Sequence, residues 1–326
     1  MASVSERLAT APTTREKVEA ANLHRVIFIA IAVFLAVAPF LLYPVFLMKV
    51  LCFALFACAF NLLLGYGGLL SFGHAAYLGT ASYICAHTAK VWGVSPEVAI
   101  LLGTAAAAAL GFLFGSLAIR RQGIYFAMIT LALAQMVFFF SLQAPFTGGE
   151  DGIQAVPRGH LFGFIDLSRD TTLYYLVAVI FLAGVLFIYR VIHSPFGQVL
   201  KAIRDNEPRA ISLGYATNRY KLVVFTLSAT LAGLAGATKA IVFQLASLTD
   251  VHWTMSGEVV LMTLVGGMGT VFGPMVGAAV IVTMQNYLAH LGAWVTVIQG
   301  IIFVVCVMLF REGIIGVIAK KLKRPL

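Results

Sequence analysis

Charge is what this chain has least of. Only 11% of its 326 residues are Asp, Glu, Lys or Arg, against about a quarter in soluble globular domains. Carboxylates are scarcest, with 13 Asp and Glu in all. Four cysteines are present, Cys52, Cys58, Cys85 and Cys306, each inside an apolar run and none at CxxC or Cys/His ligand spacing. This excludes a disulfide-stapled module and a zinc site, and leaves the cysteines as small apolar fillers. No G-x-x-x-x-G-K-[ST] string occurs, so no P-loop nucleotide site is expected. No paired-carboxylate, Ser/His or metal cluster of a membrane-embedded enzyme is visible either. No catalytic residue, metal or cofactor is therefore assigned.

What the chain has instead is apolar length. Hydrophobic residues make up 61%, and mean hydropathy is +0.96. The runs are continuous rather than alternating, which points to an all-α, polytopic helical membrane bundle rather than a β-barrel. About ten runs approach the roughly 17–25 residues that cross a bilayer. Val26–Phe46, Val98–Ile119, Ile124–Gln143, Thr172–Tyr189, Leu222–Ala246 and the shorter Val295–Phe310 are uninterrupted. Val50–Leu64, Ala75–Ala89, Glu258–Phe272 and Met275–Leu291 carry or border glycines, so the count falls to about eight if some are half-spans or broken helices.

The net charge of +9 is a topology signal. With ten spans, most of the 22 basic residues fall on the side of residues 1–25, the Arg120-Arg121 pair, residues 190–221 and the tail 311–326. Cytoplasmic loops are enriched in Lys and Arg. The expectation is a cytoplasmic segment 1–25, a membrane domain 26–310 and a basic cytoplasmic tail 311–326, with no role in binding nucleic acid. The N-terminus lacks a signal-peptide pattern, so the first span is expected to be retained.

Two loops exceed simple connectors: residues 144–171 on the outer side and 190–221 on the inner. In the inner loop Ser194 and Pro195 start a helix whose apolar face is Phe196, Val199, Leu200 and Ile203. Asn206 and Pro208 restart it, and Gly214 stops the second helix, expected over Glu207–Leu213. One reading is a linker on lipid headgroups. The other is a docking element for a cytoplasmic protein, with Ala210 and Gly214 one turn apart on its contact face.

Two glycine-rich segments interrupt the apolar runs. One includes Gly65, Gly67, Gly68, Gly73 and His74, just after Asn61; the other includes Gly266, Gly267, Gly269, Gly273 and Pro274. Close helix packing accounts for such residues. So does a broken helix lining a pathway, since irregular backbone is tolerated where it faces protein or water. His74 has no ligand partner at metal spacing and is expected to be a packing residue. Lys239 is expected to snorkel from its span to the interface. Scarce buried acids argue against an ion-coupled secondary transporter, the alternative class.

Several strings together resemble the LivM-type permeases of ATP-binding-cassette (ABC) importers for branched-chain amino acids. They are Asn61-Leu62-Leu63-Leu64-Gly65-Tyr66, Ser71-Phe72-Gly73-His74-Ala75, Gly123-Ile124-Tyr125-Phe126-Ala127-Met128, and Thr147-Gly148-Gly149 with Asp151-Gly152. To these add Ser194-Pro195-Phe196-Gly197, Ala202-Ile203-Arg204-Asp205-Asn206-Glu207, Gly214 with Tyr220-Lys221, and Gly266-Gly267-Met268-Gly269-Thr270 with Gly273-Pro274. The resemblance implies a bacterial inner-membrane permease. Its partners would be a second related permease, two cytoplasmic ATP-binding subunits and a periplasmic binding protein. It implies that Arg204, Asp205, Asn206, Glu207, Ala210 and Gly214 belong to the loop that couples to the ATPase. The general importer pattern E-A-A-x-x-x-G is met only between Ala210 and Gly214, because Glu207 lies one residue too far away. Lys239 stands where an apolar or aromatic residue is expected. Similar permeases carry urea, short amides or other amino acids.

Overall fold

The computed structural model describes residues 14–292, 294–309 and 313–322. Cys306 and most of the basic tail lie outside what can be said of side chains. The helices are α1 (Thr14–Leu41), α2 (Pro44–Asn61), α3 (His74–Lys90), α4 (Pro96–Ala118), α5 (Ile124–Gln143), α6 (Asp170–His193), α7 (Pro195–Asp205), α8 (Glu207–Ser212), α9 (Thr217–Phe243), α10 (Trp253–Gly266), α11 (Gly273–Leu288), α12 (Trp294–Leu309) and α13 (Gly313–Leu322). Among the described residues five helices are long and apolar enough to cross a membrane: Pro44–Tyr66, Pro96–Ala118, Ile124–Gln143, Asp170–His193 and Thr217–Phe243. The bundle is helical, as expected.

The first apolar run is cut earlier than the hydropathy alone indicates. It ends at Leu41, and a new helix starts at Pro44. Proline has no N–H to donate and holds the preceding Tyr43 extended, at φ −64° and ψ 121°. The short helices follow the glycines. α10 has 14 residues and α11 has 16, about 21 and 24 Å of rise against a hydrocarbon core of about 30 Å.

α2 is the central element. Apart from Lys49 and Asn61 it is apolar all round, and it packs against α6, α9, α10 and α11. Beside it α3, α4 and α9 form the tightest group. A Cβ at Gly103 would come within 2.6 Å of the Ala81 carbonyl, and Gly111 and Gly233 face Ala229 and Ala107. Small residues let these backbones approach, which is how membrane helices gain dispersion energy without a hydrophobic driving force.

The segment 144–171 is tied down rather than free. β1 (Ile153–Gln154) pairs antiparallel with β4 (Leu245–Ala246), placing Ile153 opposite Ala246. β2 (His160–Leu161) and β3 (Ile165–Asp166) form a hairpin. Arg158 donates to Asp170 Oδ1 at 2.7 Å and to the Val242 carbonyl at 3.1 Å. Lys90 donates to the Gln154 carbonyl at 2.8 Å. After α9 the chain turns back into the bundle. Val251 rests against Gly79, and Asp250 is buried.

Candidate functional site: the junction of two glycine breaks with the inner loop

The segment 190–221 folds by the expected signals. Ser194 Oγ accepts the Gly197 N–H at 3.3 Å and caps α7; Asn206 Oδ1 accepts the Arg209 N–H at 3.1 Å and caps α8. Leu200 and Ile203 are buried, and Phe196 stacks on Tyr220 with ring centroids 5.5 Å apart. α8 ends at Ser212, and Gly214 stops it at φ +86°, a conformation that favours glycine.

One feature of the docking expectation is overturned. Ala210 and Gly214 do not share an outward face. Ala210 is buried, whereas Gly214 is exposed with nothing within 4 Å of a built Cβ. Ala210 points inward because Glu207, one turn earlier, is pulled onto α9 by Lys221, with Nζ to Oε1 at 2.6 Å. The outward residues are Ile211, Leu213 and Tyr215.

The two glycine breaks meet each other. After α2 the helix widens into a π-turn at Leu62–Tyr66 and then unwinds to Gly73. The break after α10 lies against it. Asn61 bridges the two, donating from Nδ2 to the Thr270 carbonyl at 2.8 Å and accepting the Gly269 N–H at 2.9 Å. Gly65 must be glycine here, since a Cβ would come within 2.7 Å of the Gly269 nitrogen. The second break closes on itself: Gly266 packs against Gly273 and Gly277, and Thr270 Oγ1 accepts the Gly273 N–H at 3.0 Å. Pro274 opens α11 near its first position, where its missing N–H is harmless. Gly267 has φ +128°.

Arg204, at the end of α7, reaches into this junction. Its Nη1 donates to the Gly65 carbonyl at 2.5 Å. Its stem covers Gly68, where a Cβ would sit 2.7 Å from Arg204 Cγ. Asp205 holds the guanidinium from outside, with Oδ1 at 3.0 Å from Nη2. Lys201, one turn earlier, lies 5.5 Å from the Tyr66 ring centroid. Burial, and then repulsion from Arg204, push Lys201 below the ordinary lysine range, with Asp205 opposing. A cleft of about 460 Å³ opens here, lined by Gly67, Gly68, Gln122, Arg204, Glu207 and Lys221.

Gly67 and Gly73 complete the first break. A Cβ at Gly67 would meet the Leu63 carbonyl and one at Gly73 the Thr130 carbonyl. His74 begins α3 fully enclosed. Ser228 Oγ donates to the Ala59 carbonyl at 2.5 Å, so it accepts from His74 Nε2 at 2.8 Å, which fixes the proton on Nε2. Phe60 and Tyr77 meet the ring edge-on. Among the described residues no group of three His, Cys, Asp or Glu side chains is placed to hold a metal.

Lys239 departs from its expected role. Its ammonium pairs with Asp250 rather than with the interface, and both side chains are largely buried. Sequence reading passed over Asp250, and likewise Lys221 as the partner of Glu207. Neither stands at helical spacing from its partner, so no local pattern announces the pair.

A family model described as branched-chain amino acid transport system/permease component matches residues 42–307. The high-affinity branched-chain amino acid transport system permease protein LivM of Escherichia coli K12 is 29% identical over 240 residues, covering 67% of this chain and 56% of that protein. This chain thus spans a little over half the length of its LivM relatives. The ribose import permease protein RbsC of Bacillus subtilis is 29% identical over 232 residues, covering 68% of this chain and 70% of its own length. The probable branched-chain amino acid transport permease protein LivH of Methanocaldococcus jannaschii is 26% identical over 181 residues, covering 51% of this chain and 53% of its own length. No solved structure matches. The match over residues 42–307 takes in α2 to α11 and both glycine breaks, and on it the chain belongs to the branched-chain amino acid transport permease family.

Proposed function

We propose that this chain is one of two permease subunits in an ABC importer that carries branched-chain amino acids across the bacterial inner membrane. The second permease completes the path, an external binding protein delivers the substrate, and two cytoplasmic ATPases drive it. Both termini and residues 190–221 face the cytoplasm, and residues 144–171 face outward. The charge distribution supports this orientation. So does the sorting of contacts, which ties residues 144–171 to the far ends of α3 and α9 and ties α7 and α8 to the near end of α9.

The observation that carries the reading is the Arg204 contact. One side chain of α7 binds the first glycine break and Asn61 ties that break to the second, so a push on α7 and α8 reaches the backbone where four membrane helices start or stop. Packed junctions of this kind switch between discrete arrangements. The test is reconstitution in proteoliposomes. Leucine uptake should require the ATPases, ATP and loaded binding protein. Uptake by the purified chain under a proton or sodium gradient alone would replace this reading with an ion-coupled one. A sugar cargo is the second reading, favoured by the similarity to ribose permeases, and labelled ribose in the same assay decides it.

A further inference from the structure

The hairpin of β2 and β3 carries apolar side chains that the described residues leave uncovered. Phe162, Phe164 and Ile165 are 67%, 91% and 45% exposed. The base of the hairpin is packed by contrast. Val156 and Leu167 are fully buried, and the Leu167 N–H donates to the Gly159 carbonyl at 3.2 Å. Phe162 also stands in a costly place. With Gly163 it forms the centre of the turn, at φ +49° and +78°, and the Phe164 N–H donates to the Leu161 carbonyl at 3.1 Å. Turns with two positive φ values favour Asn-Gly, and a bulky residue there is an outlier. Asparagine would suit both the turn and water, so folding of the hairpin does not account for the phenylalanine.

The hairpin is fixed to the first turn of α4. The Phe162 N–H donates to Glu97 Oε1 at 3.3 Å, and a Cβ at Gly159 would meet the Pro96 ring at 3.3 Å. α4 is one of the helices long and apolar enough to cross a membrane, and it packs mainly against α3 and α9. Val98, Leu101, Ala105, Ala109 and Phe112 follow along it at three- or four-residue spacing and are all exposed, so this stripe faces lipid. Glu97 lies one turn before Leu101, at the head of the stripe. Gln122, just past the other end of α4, lines the Arg204 cleft. The 23 residues of α4 span about 35 Å, so hairpin and cleft lie at opposite membrane surfaces. Trp92, four residues before Pro96, is 65% exposed, and such rings settle among lipid headgroups.

We propose that the tip of this hairpin is a lipid anchor. Phe162, Phe164 and Ile165 insert into the bilayer surface beside the start of α4, in the leaflet away from Arg204. The orientation given above makes this the outer leaflet. Continuity decides the occupant: the tip hangs from the head of a stripe that lipid already covers, so lipid reaches it without a second protein. Removing the rings from water offsets the strain at Phe162. Behind the hairpin, Arg158 bonds to Asp170 of α6 and to the Val242 carbonyl of α9. The anchor therefore sets the depth of the segment 144–171 and of the helix ends it ties together.

The experiment uses the importer reconstituted with its partner subunits in phospholipid vesicles, with the native cysteines replaced and a nitroxide on a single new cysteine. Its collisions with oxygen, which concentrates in lipid, and with a water-soluble nickel chelate are measured. In Phe164→Cys the ratio of oxygen to nickel collisions should exceed unity. In Gln154→Cys, on the same segment but away from the tip, it should fall below unity. Ile165→Cys should also read above unity, and it serves alone if the first variant does not assemble. Adding Phe162→Asn and Phe164→Asn should bring the Ile165→Cys ratio below unity, although asparagine suits the turn. A ratio that stays high there would overturn the role of the two rings. Ratios below unity at both 164 and 165 would overturn the anchor. So would few collisions with either reagent, which marks contact with the second permease. So would nickel access at 164 that is lost only when loaded binding protein is added, which marks a docking surface for that protein.

Discussion

Removing the Arg204 side chain tests whether α7 and α8 act on the glycine breaks. The guanidinium makes one charge-assisted bond, to the Gly65 carbonyl, and is also held by Asp205. Its side chain is 38% exposed, so the contact belongs near the lower end of the range for hydrogen bonds to charged groups, about 1.5 kcal/mol. A loss of that size changes the ratio between two arrangements of the junction about tenfold. The fold itself should survive, since Leu200 and Ile203 keep α7 seated and Asn61 still bridges the two breaks. Uptake and ATP hydrolysis are measured on the same proteoliposomes. In Arg204→Ala the number of ATP molecules spent per leucine should rise about tenfold, with normal recovery of the complex. Arg204→Lys should fall between, because an ammonium can reach the carbonyl but lacks the fork that also engages Asp205. An unchanged ratio in Arg204→Ala, with the complex intact, would refute the reasoning and leave Arg204 as a surface residue.

Gly65→Ala should damage the same step from the opposite side, since its Cβ would crowd the Gly269 nitrogen. Gly269→Ala should be milder, costing about 1–2 kcal/mol of backbone strain at φ +77° with no contact closer than 3.6 Å; matched thermal unfolding in detergent compares the two. Asp250→Asn should destabilise the chain by roughly 3–5 kcal/mol by leaving the Lys239 charge buried alone. Adding Lys239→Met should recover most of that, and failure to recover would show that the pair is not the cause. Single cysteines at Gln154 and Gln198, with the native cysteines replaced, should label from opposite faces of sealed vesicles; labelling of both from outside contradicts the orientation. Leu213→Asp should weaken association with the ATPases in a pull-down while leaving accumulation normal, and Ala210→Trp should lower accumulation itself.

The fold class was legible because a membrane imposes it. Twenty-odd apolar residues in a row have few alternatives to a helix, since every backbone N–H must be paired internally. Start and stop signals were legible for a related reason: they are local. Ser194, Asn206, Pro195 and Gly214 each act on backbone groups within four residues, and each acts as its side chain dictates. The division of Val26–Phe46 was missed although its cause, Pro44, is equally local. A hydropathy window counts proline as one interruption among twenty residues, whereas the backbone registers a missing donor and a barred conformation at Tyr43.

The contacts that make the site were not legible, because none of them is local. Glu207 and Lys221 are 14 positions apart, and Asn61 and Thr270 are 209 apart. Spacing along the sequence suggests that Ala210 and Gly214 share a helical face, but α8 ends at Ser212 and Gly214 lies beyond it at φ +86°. Which face is outward, however, is decided by the charge on α9 that captures Glu207, and that capture turns Ala210 in and Ile211 and Leu213 out. The same logic applies to Lys239. A single lysine in a span is expected to snorkel because water is the nearest compensation for its charge. A chain that folds Asp250 back into the bundle supplies a nearer one, so the lysine stays inside. The pairing changes what the residue can do. A snorkelling lysine ends at water, whereas this one ties the segment that carries Asp250 to α9 inside the bundle.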